Sequence, residues 1–337
     1  MKIIDSHVHV SSTVNRQAPL YAMAERLGYH KLAVMSLQCT NPLQNTIGAL
    51  CKLQHPNNTY AFGGLDYITG RDFKTQAENM RAMGYDGIKM LEGKPTTRRL
   101  LNMPLDDVAY DPYYAYMEET GFPIVMHVVD PDTFWDPARA PGFAVEHGWT
   151  YNETDVPYEQ YYVEVENMLR KHPKLRIVFA HFFFLSWNAA RAQQFLDAHP
   201  NVSFDITAGI EMYENFTLDP GFWRAFFIKN QDRIIYGTDS TDQEPDGEQL
   251  SINGYAGMEI EFLTHNKPVE IYGMKLHGMG LPEDTCRRIF ADNFIRLAGD
   301  TPKPMDKDAL RQEALLVRQY LKGDAQVETM DAMIAQL

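Results

Sequence analysis

Cysteine is scarce: Cys39, Cys51 and Cys286 are the only three in 337 residues. So few, so widely scattered, exclude a disulfide framework and a cysteine-rich zinc site, and they favour a reducing compartment. Each reads as a small buried hydrophobe. Basic charge is also in deficit, with 31 Lys and Arg against 45 Asp and Glu and a net charge of -14 at pH 7. That balance argues against a nucleic-acid backbone as partner and describes a solvated, acidic exterior. No run is long and apolar enough to span a bilayer, and the first residues enter a strand without a charged n-region and long apolar h-region. The expectation is a cytoplasmic protein with neither nucleic acid nor membrane as partner. Nor does a Gly-x-Gly-x-x-Gly turn follow the first strand, which removes the main support for dinucleotide binding. Repeats, linkers and low-complexity tracts are absent as well, so residues 1–337 read as a single domain.

What is present is a rhythm of short apolar runs alternating with helical patterns. Strands are expected at 3–9, 32–39, 59–66, 87–91, 123–127, 176–181, 202–206 and 234–239. Helices are expected at 19–28, 43–53, 72–83 (stopped by Gly84), 113–120 (ending at Gly121), 158–172, 186–199 and 220–230. Repeated β-α units imply right-handed crossovers and a parallel sheet buried on both faces. Closed with eight such units, this is an α/β protein of the (β/α)8 TIM-barrel class. The barrel takes about residues 1–300, and a polar, helical extension of about 301–337 packs across its outside.

The first strand ends in His7-Val8-His9. Residues i and i+2 of a strand face the same side, so two imidazoles aim at one point. Alone, such a pair is more often incidental. His127 ends the fifth strand, His181 the sixth and Asp239 the eighth, and in a barrel those carboxyl ends converge on one mouth. Imidazoles with a carboxylate suit Zn2+ or a similar divalent ion, Mn2+ and Fe2+ included, and without thiolates iron-sulfur chemistry is excluded.

These residues resemble the amidohydrolase superfamily, in its amidohydrolase-related group of barrels that lack a separate β-sandwich domain. The resemblance rests on Asp5-Ser6-His7-Val8-His9, Gly87-Ile88-Lys89, Pro123-Ile124-Val125-Met126-His127, Phe179-Ala180-His181, Tyr236-Gly237-Thr238-Asp239 and the closing Ile289-Phe290-Ala291-Asp292-Asn293-Phe294. It implies one ion held by His7, His9, His127 and Asp239, with His181 beside it as the acid-base residue. A variant within the superfamily uses His181 to ligate a second ion, and its binuclear members carboxylate a lysine at the position of Lys89. We expect one ion and an uncarboxylated Lys89, which can instead neutralise a substrate carboxylate. The group's barrels often pair, so a homodimer is the oligomer the resemblance implies.

The reaction expected is hydrolysis of an amide, ester or lactone bond in a small substrate. A divalent metal with an open position lowers the pKa of its water to about 7. Asp239 accepts the proton, and His181 orients the water or stabilises the developing oxyanion. The runner-up is non-oxidative decarboxylation of a small unsaturated or aromatic carboxylate on the same site. Several decarboxylases of the group carry glutamate where this chain has His7, which weighs against it. A barrel that binds a metal or ligand without catalysis is the third reading, and it leaves no use for His7, His9, His127, His181 and Asp239 together.

The segment 128–156 is too long for an ordinary connection and is expected to cover the mouth. It carries Phe134, Trp135, Arg139, Trp149 and Tyr151, which suit a flat or carboxylated substrate or simply hold the segment down. Arg98 and Arg99, in the loop after the fourth strand, can clamp an anion. Lys89, Arg98, Trp135 and Arg139 are the candidate substrate contacts. Asp242 and Glu244 after the eighth strand, and Glu211 and Tyr213 after the seventh, are further mouth candidates. The other seven histidines read as structural or exposed.

Overall fold

The computed structural model describes residues 1–207, 209–243, 252–271 and 273–337. Its main sheet has nine strands: β1 (Ile4–His9), β2 (Lys31–Met35), β3 (Thr59–Gly63), β4 (Gly87–Gly93), β5 (Ile124–Val128), β6 (Ile177–Phe179), β7 (Val202–Asp205), β8 (Ile234–Ile235) and β9 (Ser240–Thr241). They pair in the order β8-β7-β6-β5-β4-β3-β2-β1-β9, all in parallel. The eighth barrel strand, expected unbroken over 234–239, is split into β8 and β9. β8 pairs with β7 and β9 with β1, while Ser6 N–H donates to Tyr236 O at 3.1 Å and Asp239 N–H to His7 O at 2.9 Å. The split strand thereby closes a (β/α)8 barrel, and the break between its halves delivers Asp239 at the mouth.

Ile4, Ala33, Met35, Tyr60, Phe62, Val125, Val178 and Ile235 fill the inside of the barrel. Phe294, on the helix Asn293–Ala298, lies against Tyr60 and Phe62 with ring centroids at 5.0 and 6.1 Å and closes the amino-terminal end. On the outer face Ile88, Met90, Ile124, Met126, Ile177 and Phe204 meet the apolar stripes of the helices. Lys89, between Ile88 and Met90, is therefore turned inward.

Strict alternation from Ile4 would put Val8 inside the barrel and His7 outside. The register with β2 instead slips between Asp5 and Val8. Such an irregularity moves one residue out of the pleat and reverses the phase of those that follow. Val8 now packs outward against Leu20, Leu32, Val34 and Ile47, and both histidines face the interior.

Local rules account for several helix ends. Asp72 caps the helix Phe73–Met83 by accepting from Thr75 N–H at 2.9 Å, and Gly84 ends it with φ +96°, a conformation that costs glycine little. The helices Lys307–Arg318 and Asp324–Ile334 lie across the outside on the helix Gln44–Gln54. An antiparallel hairpin, Pro268–Ile271 with Met274–His277, was not expected from the pattern. Among the described residues no helix is long and apolar enough to cross a membrane, and the three cysteines are free.

One ion pair ties the outer layers together. Lys52 Nζ lies 2.5 Å from Asp86 Oδ2 and donates to Gly84 O at 2.8 Å, with both side chains at most 1% exposed. The same carboxylate accepts N–H groups of Ala61 and Lys303, each at 2.9 Å. Burial pushes Asp86 up and Lys52 down, and each charge opposes the shift of the other.

Candidate metal centre

His7, His9 and Asp239 offer ligand atoms that all lie within 4.8 Å of one another. His9 Nδ1–H donates to Met35 O at 2.9 Å, and His7 Nδ1–H donates to Asp205 Oδ2 at the same distance. Because neither acceptor can donate, both tautomers are fixed and both Nε2 lone pairs face the cluster. Asp239 Oδ1 stands 3.0 Å from His9 Nε2 and 3.8 Å from His7 Nε2, yet it is buried without a hydrogen-bond partner. Two imidazole nitrogens and an orphaned carboxylate oxygen turned toward one point fit a divalent cation.

Lys89 is 2% exposed and donates from Nζ to His7 Nε2 at 3.0 Å. Burial pushes it down to about 8, against the pull of Asp205 and Asp239. Burial, followed by the charge of Lys89, pushes His7 down to about 4, so its imidazole is neutral at pH 7, and an ion at Nε2 would take the place of the Lys89 hydrogen bond.

His127 and His181 stand next to this group, with ring centroids 4.8 Å apart and His181 5.9 Å from His7. Neither belongs to the three-residue cluster. His127 Nε2–H donates to Asp130 Oδ1 at 3.1 Å, which leaves Nδ1 as its free lone pair. His181 Nδ1–H donates to Thr207 O at 3.2 Å, and its main-chain N–H donates to Asp205 Oδ1 at 2.8 Å. Burial lowers both histidines, His127 to about 3.

The backbone around these residues is strained. β6 ends at Phe179, short of the expected 181, and His181, Phe182, Phe183 and Phe184 all have φ between +48° and +55°. Left-handed conformation costs an L-residue about 1–2 kcal/mol. What offsets it is burial of the phenylalanines, Phe183 against Phe179 and Phe195 and Phe182 against Phe216 and Trp223. Asp239 and Val129 also have positive φ, +63° and +65°. Strain of this kind persists only where the surroundings enforce it, and here it sits at three strand ends around one mouth.

The remaining candidates lie elsewhere. Arg98 and Arg99 sit on a short helix, Pro95–Leu101, in place of the expected loop. Arg98 pairs bidentately with buried Glu164 at 3.0 and 3.1 Å, and Arg99 with Asp155 at 2.5 and 2.7 Å. Arg139 is exposed beside Asp132. Trp135 packs on Tyr151, Tyr158 and Tyr161, and with Phe134, Phe143 and Trp149 it belongs to a small core that folds the 128–156 segment onto itself. Asp242 is buried and accepts from Ser11 N–H at 2.7 Å and from the Ser11 hydroxyl at 3.0 Å. Tyr213 is buried, and burial pushes half-buried Glu211 up to about 7. Glu244 lies outside the described residues.

Buried acids to which the sequence analysis gave no role include Asp205, Asp5 and Glu92. Asp205, at the end of β7, holds both His7 and His181. Asp5 accepts from the Thr238 hydroxyl at 2.6 Å and braces the turn before Asp239. Glu92, near the end of β4, accepts from the Tyr67 hydroxyl at 3.0 Å, while its Oε2 has no partner. A carboxylate at a strand end was the available signal for Asp205.

Burial pushes Glu92 up to about 7 from an ordinary value of 4.5. The native state therefore keeps a proton that the unfolded chain releases, and stability is lost as pH rises from 4.5 through 7. Glu92→Gln is expected to raise Tm at pH 8 and to leave it nearly unchanged at pH 4.5. An equal shift at both pH values would remove the charge penalty as its cause.

A closed parallel barrel with histidines and a carboxylate gathered at its carboxyl end defines a (β/α)8 barrel with a candidate metal centre. A family model described as amidohydrolase matches residues 4–297, and the chain belongs to that family. No curated protein sequence matches it significantly. Similar solved structures include 2,6-dihydroxybenzoate decarboxylase from Rhizobium, at TM-score 0.54 and 14% identity over 88% of this chain and 98% of that one. A candidate 2-pyrone-4,6-dicarboxylic acid hydrolase from Pseudomonas putida gives TM-score 0.50 and 17% identity over 89% and 98%. A dihydroxybenzoic acid decarboxylase from Polaromonas sp. JS666, with bound manganese and 2-nitroresorcinol, gives TM-score 0.52 and 12% identity over 88% and 96%. At these identities the likeness is one of fold.

Proposed function

We propose that the protein is a metal-dependent hydrolase that opens an amide, ester or lactone bond in a small, carboxylated or aromatic substrate. The observation that carries this reading is Asp239 Oδ1, a buried carboxylate oxygen without a hydrogen-bond partner beside two histidines of fixed tautomer. His7, His9 and Asp239 would hold the ion, with His127 through Nδ1 as a further ligand. Zinc is the ion this donor set suits best. When bound, the ion supplies Lewis acidity and lowers the pKa of water.

The chain's own residues supply the rest. Asp239 takes up a proton at its carboxylate and passes it to the leaving group. His181, its Nδ1–H fixed on Thr207 O, presents Nε2 to orient water or, when protonated, to stabilise an oxyanion. Lys89 supplies a buried positive charge for a substrate carboxylate. Decarboxylation is the second reading, supported by the decarboxylases among the fold neighbours.

The test is turnover of amide, ester and lactone panels by the metal-loaded protein, with CO2 release from aromatic carboxylates measured in parallel. Hydrolysis that disappears on chelation and returns with one equivalent of zinc or manganese is expected. CO2 release without hydrolysis would replace this reading with the second, and turnover that survives complete chelation would overturn both.

A further inference from the structure

Asp130, just beyond β5, is 2% exposed, and its oxygens accept from three side chains. Lys94 Nζ donates to its two oxygens at 2.7 and 2.9 Å, His127 Nε2–H to Oδ1 at 3.1 Å, and the Tyr151 hydroxyl to Oδ2 at 2.5 Å. These donors come from three places in the chain. Lys94 follows β4, His127 is on β5, and Tyr151 lies near the far end of the 129–156 segment. The same segment is drawn in by Trp149, whose ring lies 4.3 Å from Lys94 Nζ, and by Arg99 through Asp155 and Thr150 O.

Such a carboxylate has a structural use, but its placement gives it a second one. With Nε2–H committed to Asp130, His127 can offer a metal only Nδ1, and the direction of that lone pair is set by the Asp130 contact. The contact is available only while Asp130 stays where Lys94 and Tyr151 hold it. Val129, between His127 and Asp130, has φ +65°, a costly conformation for a β-branched residue, which the four hydrogen bonds to Asp130 help to enforce.

We propose that Asp130 is the positioning residue that ties the 129–156 segment to the metal centre, so that seating the segment through Tyr151 and orienting His127 toward the ion are one event. The inference rests on the metal-centre part of the proposed function and not on the reaction assigned to it. Linkage makes the coupling reciprocal: if the seated segment favours the ion, the bound ion must favour the seated segment. The segment is then most ordered when the centre is loaded.

The full chain is tested with Co2+ as the ion, by equilibrium affinity, the visible absorption of bound Co2+, and amide hydrogen exchange across residues 131–155. In the wild type, Co2+ is expected to slow exchange across the segment at least severalfold. Asp130→Asn is expected to weaken Co2+ binding about 10–100-fold, the range typical of a lost partner to a ligating histidine, to alter the absorption bands, and to abolish the protection. Tyr151→Phe leaves Lys94 and His127 on Asp130; affinity is expected to change much less, while the metal-induced protection shrinks.

Wild-type affinity and absorption in Asp130→Asn, or full metal-induced protection in Tyr151→Phe, would overturn the proposal. So would a wild-type segment whose exchange ignores a bound ion. Should Asp130→Asn fail to fold, the Tyr151→Phe and wild-type measurements decide. A wild type that binds no Co2+ would instead overturn the metal centre itself, so the two failures are distinguishable.

Discussion

Asp239→Asn is expected to lower kcat by at least about a thousandfold and to leave the protein with much less than one metal ion per chain. The substitution keeps the size of the side chain and removes its charge, so what fails is chemistry and not packing. Asp239 has two roles in the proposed reading, as an anionic ligand and as the acceptor of a proton. Loss of general base function alone typically costs 10^2–10^4-fold. Loss of the carboxylate also removes the one negative ligand that balances a divalent charge beside two neutral imidazoles. Metal content by atomic emission separates the effects: a variant that retains a full equivalent of metal but not turnover has lost only the base. Retention of both would remove Asp239 from the site.

The folding energy should be at least as sensitive at the opposite end of the molecule. Lys52→Met is expected to destabilise by about 3–5 kcal/mol, read as a fall in the urea midpoint and in Tm, because it strands Asp86 as an unpaired buried carboxylate. The methionine fills most of the space of the lysine stem, so cavity formation contributes little. Asp86 also accepts main-chain N–H groups from Ala61 and Lys303. It thereby joins β3 to the chain that leads into the C-terminal helices. Adding Asp86→Leu to Lys52→Met is therefore expected to restore only part of the loss. Two main-chain donors, Ala61 N–H buried and Lys303 N–H partly so, would lose their acceptor. Full restoration by the double variant would show that the ion pair alone matters.

Chemistry in this chain was more legible than geometry. Helix limits at Asp72 and Gly84, the inward turn of Lys89 between two apolar residues, and the order of β-α units all follow from short-range rules. The pair His7 and His9 also followed from strand periodicity. Their direction did not, because periodicity from Ile4 points His7 the wrong way and only the slipped register with β2 reverses it. The break in the eighth strand is of the same kind. Nothing in Ile234–Asp239 marks where pairing with β7 gives way to pairing with β1, since that depends on two strands far away in sequence.

Arginines show the reverse error. Arg98 and Arg99 suggested an anion clamp by type, and the fold gives them Glu164 and Asp155 as partners. A residue's charge is written in the sequence, but whether that charge is already spent depends on which carboxylate the fold brings within 3 Å. Asp205 and Asp130 were overlooked for the matching reason, because they are inconspicuous until they are seen to orient a histidine.

The sequence by itself determined the fold class and pointed to a strand-end group of histidines with a carboxylate, because hydrophobic period, turn residues and the strand-end histidines are local properties that survive without coordinates. Only the tertiary structure decided which nitrogen each histidine presents, which acids hold them, and that Asp239 Oδ1 is buried without a partner. Those properties are distances between residues as many as 232 positions apart, fixed by barrel closure and accompanied by strain at His181, Val129 and Asp239.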